Sequence, residues 1–266
     1  MRPSYLSLVA VTVAVVTAPV RDLRADEPPA SRWVGAPVLP VGRLDVNAVH
    51  ELRLTRFKHL PDEFGDAWAD GIDLAIAVSP RLTLGLGHSA RARGTIDHGG
   101  GWCHDGRGQV CDRAYAGALL DARWLARRGE RGSVTALARA GVIGLGPVRP
   151  AVRLGLSGRR WRGRWWGAVE PEFQIALGHR EAGNRDQLVA PLWIGVGHRR
   201  AAAWIMTGVR GELVGFGEKY EIPLLLGGGL TVRQVRVGAE VGLPQLAGPQ
   251  NTGNVRHAAI WLGVTF

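Results

Sequence analysis

Several side chains between residues 88 and 105 are of the types that form hydrolytic sites. They are His88, Ser89, His98, His104 and Asp105. A serine nucleophile needs a histidine base within hydrogen-bond reach. His88 and Ser89 are adjacent, and neighbours in a β-strand point to opposite faces, so the two do not provide this arrangement. His179 and His198 fall at predicted strand ends, where polar rim residues are the simpler interpretation. The sequence therefore has no positioned catalytic set, and an enzyme is only an alternative interpretation.

Two cysteines, Cys103 and Cys111, lie in the glycine-rich stretch DHGGGWCHDGRGQVC. In an oxidising compartment, two cysteines this close in sequence favour a local disulfide that closes a loop. Metal binding by Cys103, His104, Asp105 and Cys111 is the alternative, but their spacing matches none of the usual zinc patterns. We therefore expect a disulfide, no metal ion and no other cofactor.

Charged residues recur on one face of the predicted strands. This face has arginines and carboxylates in equal number, whereas the opposite face has almost no charge in mid-strand. Isolated charges on an enclosed face would be costly, so the balance favours pairing between strands. The predicted set, with one glutamine, is Glu51, Arg53, Asp73, Arg91, Arg93, Asp121, Arg123, Arg139, Arg153, Glu170, Glu172, Gln174, Arg210, Glu212, Glu221, Arg236 and Glu240.

The elements that position these residues are β-strands. From about residue 47 onward, apolar side chains alternate with small or polar ones in twelve segments separated by turn-forming residues. Connections after the even-numbered segments are short, with Arg233-Gln234 as a two-residue hairpin, and most of the others are longer. An even number of strands with short turns at one end is the pattern of a transmembrane barrel.

The final stretch, NVRHAAIWLGVTF, alternates strictly between apolar and small or polar residues and ends on the aromatic Phe266. Its length would cross a bilayer as a tilted strand. This ending resembles the last strand of outer-membrane β-barrel proteins of Gram-negative bacteria, in which it is the signal read by the assembly machinery. The resemblance implies an all-β, closed, antiparallel up-and-down transmembrane barrel. It also implies that Phe266 is an assembly signal, and that the partners include the barrel-assembly machinery, outer-membrane lipids and lipopolysaccharide.

The amino-terminal residues predict export. Met1 and Arg2 precede an apolar run from Leu6 to Val16, which is typical of a secretory signal peptide. We expect residues 1–25 to be the signal peptide, residues 26–46 a proline-containing periplasmic leader, and residues 47–266 the barrel.

The net charge of +10 comes mainly from arginine. The arginines are spread over every segment and no nucleic-acid-binding motif is present, so we expect no nucleic-acid partner. An anionic lipid surface is the better counterpart for exposed arginines. Trp124 and Trp165 fall on the predicted lipid side near short turns, where an aromatic belt would lie.

The same alternation would also suit a soluble β-sandwich. The predicted export signal, the terminal strand and the pattern of turn lengths favour the membrane barrel. The leading functional hypothesis is a small, porin-like channel for polar solutes in the outer membrane. The alternatives are a lipid-modifying or hydrolytic barrel enzyme, and a structural barrel that binds a partner through the loop from Arg91 to Arg113.

Overall fold

Twelve antiparallel strands form a closed ring. The computed structural model describes residues 38–56, 64–89, 101–105, 115, 117–198, 200–249 and 255–266. The ring closes between the first and last strands, where the pairing runs from Asp45 opposite Thr265 to Thr55 opposite Val255. The predicted fold class and strand number are confirmed, and closure leaves no unpaired sheet edge around the ring.

The structure divides this ring into fourteen strand segments. They are β1 (Leu44–Arg56), β2 (Phe64–Ser79), β3 (Leu82–Gly87), β4 (Trp102–Asp105), β5 (Ala118–Gly129), β6 (Gly132–Leu145), β7 (Val148–Arg162), β8 (Trp165–Val169), β9 (Glu172–Ala176), β10 (Gln187–His198), β11 (Ala201–Glu212), β12 (Tyr220–Val232), β13 (Val235–Ala247) and β14 (Val255–Thr265).

Two short segments are additional to the twelve. β9 pairs with β7 and β10, the same two neighbours as β8, so β8 and β9 follow one another along a single position in the ring. Pro171, which has no backbone N–H to donate, lies in the break between them. β4 pairs with the part of β2 that lies beyond its pairing with β3.

Alternation along each strand separates an outward face from an inward face. On β2, Ile72 and Ile76 are each 46% exposed, whereas the intervening Ala75 is 6% exposed. Aliphatic side chains cover the outward face of the other strands in the same way. Because charged residues occupy the buried face, the usual arrangement of a water-soluble protein is reversed, as a lipid-facing barrel requires.

The two ends of the barrel differ in their connections. Two-residue turns join β2 to β3, β5 to β6, β7 to β8, β10 to β11 and β12 to β13 at one end, where β1 starts and β14 ends. Longer connections lie at the other end, with one exception. The segment before β7, which the sequence suggested would be of intermediate length, is the two-residue turn Gly146-Pro147.

The predicted barrel boundary needs a small correction. β1 begins at Leu44, so the last three residues of the predicted leader belong to the ring, where Leu44 and Phe266 exchange backbone hydrogen bonds. The predicted signal peptide lies outside the described residues. Within the described ranges, no helix has the length and apolar character needed to cross a membrane.

Candidate functional site: the charged interior

The predicted polar set lies on the buried or half-buried face of the strands, apart from Arg91 and Arg93, which lie outside the described residues. This face encloses the interior of the ring because the opposite face carries the exposed aliphatic residues. The interior is therefore lined by guanidinium and carboxylate groups.

One ion-pair network joins β5, β6 and β9. The Nη2 of Arg123 donates to Oδ2 of Asp121 over 2.7 Å. The Nη1 of Arg139 donates to Oε1 of Glu172 over 2.5 Å, and the Nε of Arg139 lies 4.0 Å from Oδ2 of Asp121. Arg139 is 5% exposed and Glu172 is 1% exposed, so the pair is shielded from water. Breaking such a pair is costly because it leaves an uncompensated buried charge.

A second group of contacts joins β7 to β9 and to Glu170, which lies in the break between β8 and β9. The Nε of Arg153 donates to Oε1 of Gln174 over 2.9 Å. The Oγ of Ser157 donates to Oε1 of Glu170 over 2.7 Å, and the Nη2 of Arg159 lies 3.5 Å from the same oxygen. Ser157 and Arg159 were absent from the predicted set, although both continue the inward alternation of Arg153 along β7.

A third network lies at the seam where the ring closes. Arg236 on β13 contacts Asp45 on β1 and donates from Nη2 to Oδ1 of Asn47 over 3.2 Å. The Oγ1 of Thr265 on β14 donates to Oδ1 of Asp45 over 2.8 Å. These contacts tie the first strand to the last two. The sequence assigned Asp45 to the leader and therefore missed its role in this network.

Further pairs lie towards the end with the longer connections. The Nζ of Lys219 donates to Oε2 of Glu212 over 3.0 Å, and the Nε of Arg185 lies 3.9 Å from that oxygen. The Nε2 of Gln245 donates to Oε1 of Glu221 over 2.8 Å. Charge pairing therefore extends from the short-turn end, where Asp45 lies, to the end with the longer connections. The positive and negative groups largely neutralise one another.

An apolar cluster accompanies these charges inside the barrel. Trp161, Trp166, Trp204 and Trp261, here called the tryptophan wall, are 3–5% exposed and pack with Val49. Alternation placed Trp204 and Trp261 on the mixed face of their strands, but the sequence did not predict that the four rings form one cluster. Trp124 and Trp165, by contrast, are 37% and 64% exposed, as expected for lipid-side residues near short turns.

Three members of the tryptophan wall lie over glycines. A Cβ added to Gly227 would lie 2.3 Å from Nε1 of Trp204, which faces it across the β11–β12 pair. An aromatic ring covering a glycine on the neighbouring strand is a known way to stabilise barrel glycines. A glycine that lies opposite a tryptophan on the neighbouring strand is the signal that could have revealed the tryptophan wall. The glycine–tryptophan partners are Gly195–Trp166, Gly227–Trp204 and Gly238–Trp261.

The catalytic candidates separate in the structure. The Oγ of Ser89 donates to Oδ2 of Asp73 over 2.5 Å. The Nδ1 of His88 instead lies 3.1 Å from the Tyr115 hydroxyl oxygen, so Ser89 and His88 do not form a nucleophile–base pair. His98 lies outside the described residues.

A separate polar group lies on the outward face of β1, β2 and β4. The Nδ1 of His50 is 2.7 Å from Oδ1 of Asp70, and the Nε2 of His104 is 3.7 Å from Oδ2 of Asp70. No group of three or more potential metal ligands has a metal-binding arrangement within the described part of the chain. Cys111 lies outside the described residues, so its disulfide with Cys103 stays a prediction.

Solved structures with a similar fold include outer-membrane channels. The KdgM porin in complex with disordered oligogalacturonate matches with a TM-score of 0.56 at 11% identity, over 84% of this chain and 99% of that chain. The NanC porin matches with a TM-score of 0.55 at 5% identity, over 83% of this chain and 98% of that chain. An outer-membrane channel from Pseudomonas putida F1 matches with a TM-score of 0.56 at 12% identity, over 86% of this chain and 97% of that chain.

This is an outer-membrane β-barrel fold. No protein-family model and no curated protein matches the sequence. At these identities the structural likeness shows the fold alone. The apolar outer surface of the barrel and its paired interior charges agree with a location in the outer membrane.

Proposed function

We propose that the barrel is a passive channel for small polar solutes. The observation that carries this proposal is the inward face, where charges of both signs are paired, largely across strands, while the outward face is aliphatic. The more accessible pairs, such as Lys219–Glu212 with side chains 41% and 26% exposed, can present hydrogen-bond donors and acceptors to a solute without a large net charge. The similarity in fold to the KdgM and NanC porins, the former in complex with an oligogalacturonate, supports polar molecules as the class of solute.

The paired interior also supports weak ion selectivity. A lumen with an excess of one sign attracts counter-ions and excludes ions of the same sign. Here Arg139 faces Glu172, Arg123 faces Asp121 and Arg236 faces Asp45. A neutralised path of this kind would pass uncharged polar solutes and small ions of either sign.

Planar-bilayer recording tests this proposal. Purified barrel should produce discrete conductance steps in potassium chloride, with a small reversal potential under a salt gradient because the interior charge is nearly balanced. Protein boiled in detergent before addition is the control and should produce no steps. A folded barrel that gives no steps at any voltage would overturn the channel proposal.

A further inference from the structure

A groove of about 600 Å³ lies on the outward face of the barrel at the end with the short turns. It crosses β5, β6, β7, β8 and β10. Its walls are aliphatic: Val169, Leu192 and Ile194 are 41%, 37% and 55% exposed. Since the outward face of a membrane barrel meets lipid, the natural occupant of this groove is a hydrocarbon chain.

Missing side chains create the groove. Gly158 and Gly167 form its floor, and the register places Gly158 beside Val169 and Gly167 beside Ile194. A Cβ on Gly158 would come no closer than 3.6 Å to another atom, and one on Gly167 no closer than 3.5 Å. Both positions therefore have room for a larger side chain, and packing alone does not require glycine there.

Arginines surround the groove. Arg127 on β5 and Arg160 on β7 are exposed, as is Arg131 in the turn between β5 and β6. Within the described ranges none of the three forms an ion pair, and Glu130 is the only exposed acidic side chain at this end. Arg159 also borders the groove, but its guanidinium pairs with Glu170 inside the barrel.

We propose that this groove binds an anionic phospholipid, with an acyl chain over Gly158 and Gly167 and the phosphate between Arg127, Arg131 and Arg160. Short turns of outer-membrane barrels face the periplasm, so the groove would lie in the inner, phospholipid leaflet. Basic pockets next to membrane-spanning segments bind anionic head groups in this way. The inference rests on the membrane orientation of the barrel and is independent of whether the barrel conducts.

Native mass spectrometry of the detergent-solubilised barrel tests the proposal, with phosphatidylglycerol and phosphatidylcholine as probes. The parent protein should retain phosphatidylglycerol in preference to phosphatidylcholine. The Arg127→Gln/Arg160→Gln variant should bind it about tenfold more weakly, because two of the three arginines that contact the head group are neutralised. Arg233→Gln, in the turn between β12 and β13 outside the groove, is the matched control and should bind as the parent does.

A second variant tests the groove itself. Gly158→Leu/Gly167→Leu should fill the floor and lower phosphatidylglycerol retention while leaving the arginines in place. Heat-modifiable migration on a gel verifies that each variant is folded. If the leucine variant fails to fold, the phosphatidylglycerol retention of the Arg127→Gln/Arg160→Gln variant decides the test. Equal phosphatidylglycerol retention by parent and folded variants, or equal retention of the two lipids by the parent, would overturn the proposal.

Discussion

Arg139 and Glu172 show how single residues make a charged barrel interior tolerable. They lie on β6 and β9, far apart in sequence, and bury their charges against one another at 2.5 Å. Asp121 contributes additional negative charge near Arg139 at 4.0 Å. The same principle applies at the seam, where Asp45 contacts Arg236. At the scale of the residue, stability and a polar interior therefore depend on completed pairs.

The Arg139→Gln variant should be markedly destabilised. Removing the guanidinium leaves Glu172 buried without its partner, which costs about 3–5 kcal/mol for a shielded pair. Urea unfolding of the refolded barrel, followed by tryptophan fluorescence, measures the change. Arg162→Gln, at an exposed position on the same barrel, is the control and should change stability by less than about 0.5 kcal/mol. Equal stability of the two variants would contradict the assigned pairing.

At the scale of the element, pairs of neighbouring strands build the tryptophan wall. β11 supplies Trp204 and β12 supplies Gly227, and their register places the indole over the glycine. The same relation recurs between β8 and β10 and between β13 and β14. Large rings therefore fit inside the barrel because the adjacent strand has no side chain at the matching position.

Gly227→Ala should destabilise the barrel by about 1–3 kcal/mol, as overpacking does. The new Cβ would lie 2.3 Å from Nε1 of Trp204, so the indole must move. Tryptophan emission should shift as Trp204 changes its surroundings, and the urea midpoint should fall. Gly158→Ala is the control, since its Cβ meets no atom closer than 3.6 Å. If Gly227→Ala behaves like this control, the ring-over-glycine packing is wrong.

At the scale of the whole molecule, closure of the ring couples all strands. β1 and β14 are paired along most of their lengths, and the seam network adds side-chain contacts across the junction. A closed sheet has no edge from which unpairing can begin. The barrel should therefore resist detergent until heated, and it should unfold as a unit.

Deletion of residues 255–266 should abolish the heat-modifiable form after refolding in vitro. Without β14, the backbone groups of β1 and β13 lose their partners within the lipid, where unpaired groups are costly. Gel migration with and without boiling measures the outcome. Phe266→Ser is the control: it keeps the strand and should refold in vitro, whereas its assembly in cells tests the predicted signal. A truncated barrel that migrates as the parent does would show that closure is not required.

Local sequence patterns were sufficient for much of the architecture. Alternation with a period of two is a property of neighbouring residues, so the strands and their polar faces could be predicted one segment at a time. Asp121 and Arg139 were assigned to a common face for this reason. Asp45 was missed because the inward Val49 and outward His50 reverse the alternation of apolar and polar residues that residues 44–47 begin. The turn at Gly146-Pro147 was shorter than the nearby prolines suggested.

The sequence by itself determined a β-strand protein with twelve ring positions, an aliphatic face and a charged face. Only the tertiary structure decided which charges pair, that four tryptophans form one cluster inside the barrel, and that Gly158 and Gly167 leave a groove among arginines. The reason is that these features depend on register between strands distant in the chain. A shift of one residue in that register would reverse every side chain without changing the local pattern.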